Sequence, residues 1–208
     1  LMHLVVFCKG INIPFDVYAF TTGQRFNTQE EKKAFYDSFR DGDLRLSDTT
    51  MPLLISSSLR KGDYEEALVQ LYMKKVANSR EREFDEDGYY IDRYYSDYQF
   101  SAKAEEYGST PLNISLALSH NLVKKFKAKH NIDKMNLIVL SDGDSNHLHT
   151  TEDISDEALA RKTDTRGYYN HGLNLEIDKK ILRLKDSGRR ATVQLLENLQ
   201  KRHGVTTL

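Results

Sequence analysis

The sequence predicts an α/β protein built on an open, mostly parallel central sheet, and three observations carry that expectation. The run Met135-Asn136-Leu137-Ile138-Val139-Leu140 is almost continuously apolar, as a strand covered on both faces of a parallel sheet is. Upstream, Leu112, Leu116, Leu118, Leu122, Val123 and Phe126 fall on one helical face, so an amphipathic helix feeds into that strand. A second helix-to-strand pair comes late in the chain. Val193, Leu195, Leu196 and Leu199 form the buried face of a helix over residues 191–202, Gly204 ends it, and Val205-Thr206-Thr207-Leu208 starts a strand.

The other elements follow in order. Residues 1–9 read as the last turns of an apolar helix stopped by Gly10, the residue that most readily turns left-handed. Residues 13–20 are rich in β-branched and aromatic side chains and read as a core strand, with Pro14 confined to its start. Residues 28–39 are polar, with Phe35 and Phe39 at helical spacing, and the apolar stretch 51–57 reads as a short helix. Asp63 caps a clearer helix, with Glu65 and Glu66 in its first turn and Ala67, Leu68, Leu71, Tyr72 and Val76 on its apolar face. Residues 79–107 are charged and tyrosine-rich (Tyr89, Tyr90, Tyr94, Tyr95, Tyr98), which reads as an insertion or irregular ribbon within a single domain over 1–208. Tyrosine offers a wide contact area with a polar tip, so this stretch suits a binding face as well as packing onto the body. At Thr110-Pro111 a helix begins, with Thr as the cap and Pro in the first helical position. Ser141-Asp142-Gly143-Asp144-Ser145-Asn146 is a strong turn signal, residues 153–169 are mixed and polar, and residues 173–177 alternate as a half-exposed strand that 180–185 pairs with.

Composition narrows the partners. With 39% apolar residues, 29% charged residues and a net charge of −1, the chain has a well-solvated surface and no cationic excess to hold a phosphate backbone, so nucleic acid is disfavoured. The lysines at 124, 125, 127 and 129 and the pair Arg189-Arg190 read as solvated helix faces. Cys8 is the only cysteine, which excludes an internal disulfide and suits a reducing compartment; within Leu4-Val5-Val6-Phe7-Cys8 it reads as a buried, inert thiol. That run is far too short to span a bilayer, and no secretory signal opens the sequence, so the expected location is cytoplasmic.

Ligands of an open α/β sheet gather at the carboxyl ends of its strands. Two segments arrive there with oxygen-bearing side chains: Gly108-Ser109-Thr110-Pro111-Leu112, a loop entering a helix, and Leu140-Ser141-Asp142-Gly143-Asp144, a strand ending in an acidic turn. Each has a plain explanation. Thr110 before a proline serves as an ordinary helix cap, and Asp142 as a turn residue bonded to its own backbone. A second chemistry is also open. Asp142, Asp144, His147 and His149 make a compact acidic and histidine-rich cluster, which could hold a catalytic metal and activate water for hydrolysis.

The two loops, with the helix between them, resemble the later part of a von Willebrand factor A domain. Gly108-Ser109-Thr110-Pro111-Leu112 looks like that family's Thr loop, and residues 137–143 look like its central strand and Asp loop. The resemblance implies a three-layer, Rossmann-like fold and a metal-ion-dependent adhesion site, with Thr110 and Asp142 as ligands and Ser109 and Asp144 as weaker contributors. It implies Mg²⁺, or Mn²⁺ or Ca²⁺, and a hard cation of this kind wants about six oxygen ligands. Residues 108–146 are most similar to cobaltochelatase-subunit-like domains of bacteria and phages, which implies a cytosolic adaptor for a ring-forming AAA+ ATPase of the MoxR or cobaltochelatase type. The sequence departs from the family in one respect: the Asp-x-Ser-x-Ser loop that supplies the remaining ligands occurs nowhere in it. The expectation is therefore a partial domain, lacking the first strand and cut short in the last, with a half-built metal site and open strand edges prone to self-association. A third possibility is an interaction protein without metal that uses the region from Tyr89 to Tyr98.

Overall fold

The computed structural model of the chain describes residues 1–21, 28–38, 44, 49–77, 82–84, 90–92, 110–141, 143–148 and 173–208. It is a mixed α/β protein that divides into two units, Leu1–Ala19 with Pro52–Glu106, and Phe20–Met51 with Tyr107–Leu208. No helix among the described residues is long and apolar enough to cross a membrane.

In the first unit, α1 (Met2–Gly10) ends as the sequence suggests, but Gly10 is its last helical residue and Asn12, at φ 58°, takes the left-handed position. Ile11 and Asn12 donate their amides to the carbonyls of Phe7 and Lys9, which satisfies the helix end without glycine. Cys8 is half-buried rather than buried. The strand expected over 13–20 shortens to β1 (Asp16–Tyr18), and residues 51–57 are not a helix: β2 (Leu53–Ser56) pairs antiparallel with β1, Val17 opposite Ile55. The serines decide this local structure. Ser56 donates its hydroxyl to Asp16 across the pair, Ser57 Oγ accepts the Phe15 amide at 2.9 Å, and Ser56 Oγ accepts the Ser58 amide at 3.1 Å. Such short side chains compete with helical bonding for backbone donors.

α3 (Lys61–Ala77) starts two residues before the expected cap, so Asp63 lies in its first turn and faces Arg60 at 3.2 Å. Val5, Ile55 and Tyr64 form the core of this unit, with Leu59, Ala67, Leu68 and Leu71 packed against it, while Tyr72, expected on the buried face, is exposed. A short antiparallel ribbon, β3 (Arg82–Phe84) with β4 (Tyr90–Asp92), occupies part of the tyrosine-rich stretch; most of 79–107 lies outside the described residues.

The second unit carries α2 (Gln29–Asp37), whose first turn is capped by Thr28 Oγ1 accepting the Glu31 amide at 3.1 Å; Phe39 lies outside the described residues. Its framework is α4 (Leu112–His130), β5 (Met135–Leu137), the hairpin β6 (Asn174–Ile177) and β7 (Lys180–Arg183), α5 (Arg189–His203) and β8 (Val205–Thr207). β5 and β8 run parallel, Met135 beside Val205, and the pairing continues through the Val139 amide donating to the Leu208 carbonyl at 2.9 Å. The strand was expected to be covered on both faces, but it is one-sided. Met135, Leu137 and Val139 pack on the core while Ile138 and Leu140 are exposed, the two-residue alternation of a half-covered strand.

The hairpin expected from 173–177 and 180–185 is present. Its two-residue turn places Asp178 and Lys179 at φ 51° and 60°, the double left-handed geometry that suits a tight hairpin. α5 begins before residue 191 because the Asp186 carboxylate accepts the amides of Gly188 and Ala191, at 3.0 and 3.1 Å, capping the helix from outside it. Gly204 closes it at φ 60°, as expected. Its buried stripe is Ala191, Leu195 and Leu199, each fully buried, whereas Val193 faces outward at 52% exposure. These side chains meet Leu112, Ile114, Leu116 and Val123 of α4 and Leu148, Ile177, Leu184 and Val205 in one core.

Candidate functional site at the start of helix α4

Two helices begin at the same place. The Asn113 side chain, fully buried in the first turn of α4, donates to the Ser187 and Gly188 carbonyls at 3.2 and 2.9 Å and accepts the Thr192 hydroxyl at 2.6 Å. It thereby ties the start of α4 to the start of α5. All of its polar atoms have partners, which is what permits an amide to sit there.

The cap expected from Thr110 is absent. Pro111 is the capping residue of α4, and its carbonyl accepts the Ser115 amide at 3.0 Å and the Ser115 hydroxyl at 2.9 Å. The early amide of Asn113 is met by Ser145 Oγ at 2.8 Å, a partner 32 residues away on the loop after β5. That loop is fastened again where the Asn146 amide donates to the Thr110 carbonyl at 2.8 Å, and the Leu148 amide to the Ser187 carbonyl at 2.9 Å. The loop before α4 and the loop after β5 are thus joined by backbone and side-chain bonds.

Thr110 is half-buried and its hydroxyl lies against Gly143: a Cβ placed on that glycine would be 3.8 Å from Thr110 Oγ1. Asp144 is exposed on the same loop. Ser109, Asp142 and His149 lie outside the described residues. His147 turns toward α5, with Nδ1 3.0 Å from Ser187 Oγ and its ring filling the space beside Gly188, where an added Cβ would sit 2.9 Å from Cε1. Changing Gly188 to Ala is therefore expected to displace the imidazole and lower stability by about 1–2 kcal/mol. Thermal unfolding of the variant checks this, and a midpoint equal to that of the parent would show that the ring moves freely.

The electrostatics favour an anion here, because the positive ends of α4 and α5 converge. Asp186 answers that field at α5. A cation at the junction needs carboxylates close by; of the four expected ligands the described residues include the Thr110 hydroxyl and the exposed Asp144, part of the roughly six-oxygen shell of Mg²⁺. Among the described residues no group of three or more His, Cys, Asp or Glu side chains could hold a metal ion.

Sequence reasoning singled out Thr110, took Ser145 only as part of a turn, and gave no separate role to Asn113, Ser187, Gly188 or Thr192. No local pattern marks these residues, since their partners are 32 to 79 positions away. Comparison with family models, with curated proteins and with solved structures yields no match for this chain.

Proposed function

We propose that the chain is a protein-interaction module of von Willebrand factor A type, an adaptor whose partner-facing surface is the junction of the loop before α4 with the loop after β5. One observation supports this reading above others: the Thr110 hydroxyl stands against Gly143, with the two loops bonded through Asn146 and Ser145. The proposed cation is Mg²⁺ or Mn²⁺, with Ca²⁺ as the larger alternative. Thr110 and Asp142 are its proposed ligands, with Ser109 and Asp144 assisting, and the remaining positions are left to water or to a partner's carboxylate. The proposed partner is a ring-forming ATPase of the MoxR or cobaltochelatase type.

The position of Thr110 makes the test clean. It does not cap α4, and no hydrogen bond engages its hydroxyl among the described residues, so Thr110→Val removes an oxygen and leaves the helix start alone. Mn²⁺ binding to the 208-residue chain, followed by electron paramagnetic resonance, is expected to weaken at least about tenfold in Thr110→Val and in Asp142→Asn. Equal binding by the parent chain and both variants, or none by the parent, would sink the metal-dependent reading. Hydrolysis through Asp142, Asp144, His147 and His149 gains no comparable support, because His147 faces Ser187 and Asp144 faces solvent.

A further inference from the structure

Two imidazoles meet inside the second unit. His120 on α4 is 1% exposed, and its Nδ1 lies 2.9 Å from Nε2 of His203, the last residue of α5. The rings stand edge to face with centroids 5.0 Å apart. His120 Nε2 is buried without a hydrogen-bond partner, so His120 is held by the one shared N–H between the two facing nitrogens. That bond needs one of those nitrogens bare, and a proton on both replaces it with two N–H groups pointing at each other.

The surroundings oppose an added proton. Lys124 and Lys127 approach from α4, Arg202 from α5, and Asp178 from the β6–β7 turn. Asp178, the one carboxylate of this group, is already paired with Lys124 at 2.7 Å. Lys127 donates to the His203 and Asp133 carbonyls at 2.8 and 2.9 Å, and Arg202 donates to the Ile177 and Lys180 carbonyls. α4, the end of α5 and the hairpin are therefore stitched together around the histidine pair. Burial foremost, with Lys124, Arg202 and Lys127, holds the His203 imidazole below its usual range, against Asp178 and the negative end of α5, which favour a cation there. Burial foremost, then His203 and Arg202, push His120 down to about 4.

We infer that His120 and His203 form an acid-sensitive latch, which holds α5 and the β6–β7 hairpin against α4 at neutral pH and releases them on protonation. This goes beyond the adaptor reading and does not depend on it. His203 is followed at Gly204 by β8, the partner of β5.

A histidine with a lowered folded pKa stabilises fully above its unfolded value of about 6.5, and that contribution is lost as the pH falls toward 4. Hydrogen exchange on the parent chain, corrected for the intrinsic pH dependence of exchange, reads the opening directly. Between pH 7.5 and 5, opening of α5 and of residues 174–183 is expected to rise about 30-fold, from the His120 shift alone, while α3 in the other unit changes little. His120→Gln should flatten that response. If that variant does not fold, the imidazole signals of the parent chain decide by NMR. A His120 ring that titrates near 6.5 with α5 still protected overturns the latch, as does pH-independent protection of α5.

Discussion

Replacing Asn113 by Asp should cost about 4 kcal/mol at pH 7.5, although the two side chains have nearly the same shape. The carboxylate can still accept the Thr192 hydroxyl. Its second oxygen, however, would face the Ser187 and Gly188 carbonyls, to which the amide now donates. Two bonds become two repulsions at a fully buried position. The converging helix starts offset part of this by favouring negative charge. Burial and the two carbonyls raise the folded pKa of the new carboxyl, so the variant regains stability relative to the parent as the pH falls and the group protonates. A protonated carboxyl can donate to one carbonyl again. Asn113→Ala, which removes the donors without adding charge, should cost about 3 kcal/mol with little change on acidification relative to the parent. Urea unfolding of the three proteins at pH 7.5 and 5 separates the effects. An Asp variant within about 1 kcal/mol of the parent at pH 7.5 would mean that Asn113 does not join the two helices.

Truncating Leu199 to Ala should cost about 3–4 kcal/mol through lost burial and the cavity left behind. Leu199 is fully buried and follows Ala191 and Leu195 at four-residue intervals along the face of α5 that meets α4. Val193 provides the contrast. The same truncation there removes a side chain that is 52% exposed and should change stability by under about 0.5 kcal/mol. Equal losses at the two positions would mean that α5 is rotated relative to the face described.

That contrast shows where the sequence could be read and where it could not. The helix over 191–202, its glycine stop, the strand after it and the 173–185 hairpin were all legible, because four-residue and two-residue spacings and left-handed turns are local properties. Val193 matches the stripe in hydrophobicity but not in angle, so its apolar character alone misplaces it. The apolar run 135–140 predicts a strand covered on both faces, yet Ile138 and Leu140 stand exposed, since apolar character alone does not say how many faces are covered. Within 51–57 a strand forms at Leu53–Ser56 instead of a helix, because Ser56 and Ser57 bond back to Asp16 and Phe15, 40 and 42 positions earlier. The candidate site divides the same way. Thr110 was identifiable from its place before a helix, but its role as a cap passed to Pro111 and, for the Asn113 amide, to Ser145.

The division of the chain has a consequence for its synthesis. Residues Phe20–Met51 belong to the second unit but are translated between the two segments, Leu1–Ala19 and Pro52–Glu106, that make up the first. Within that segment, Phe20 and Leu44 are made well before the core they pack against. Their partners are complete only once β8 (Val205–Thr207) has emerged to pair with β5. Those two half-buried side chains therefore wait on the nascent chain until β8 is made, and they are where a nascent-chain chaperone is expected to bind.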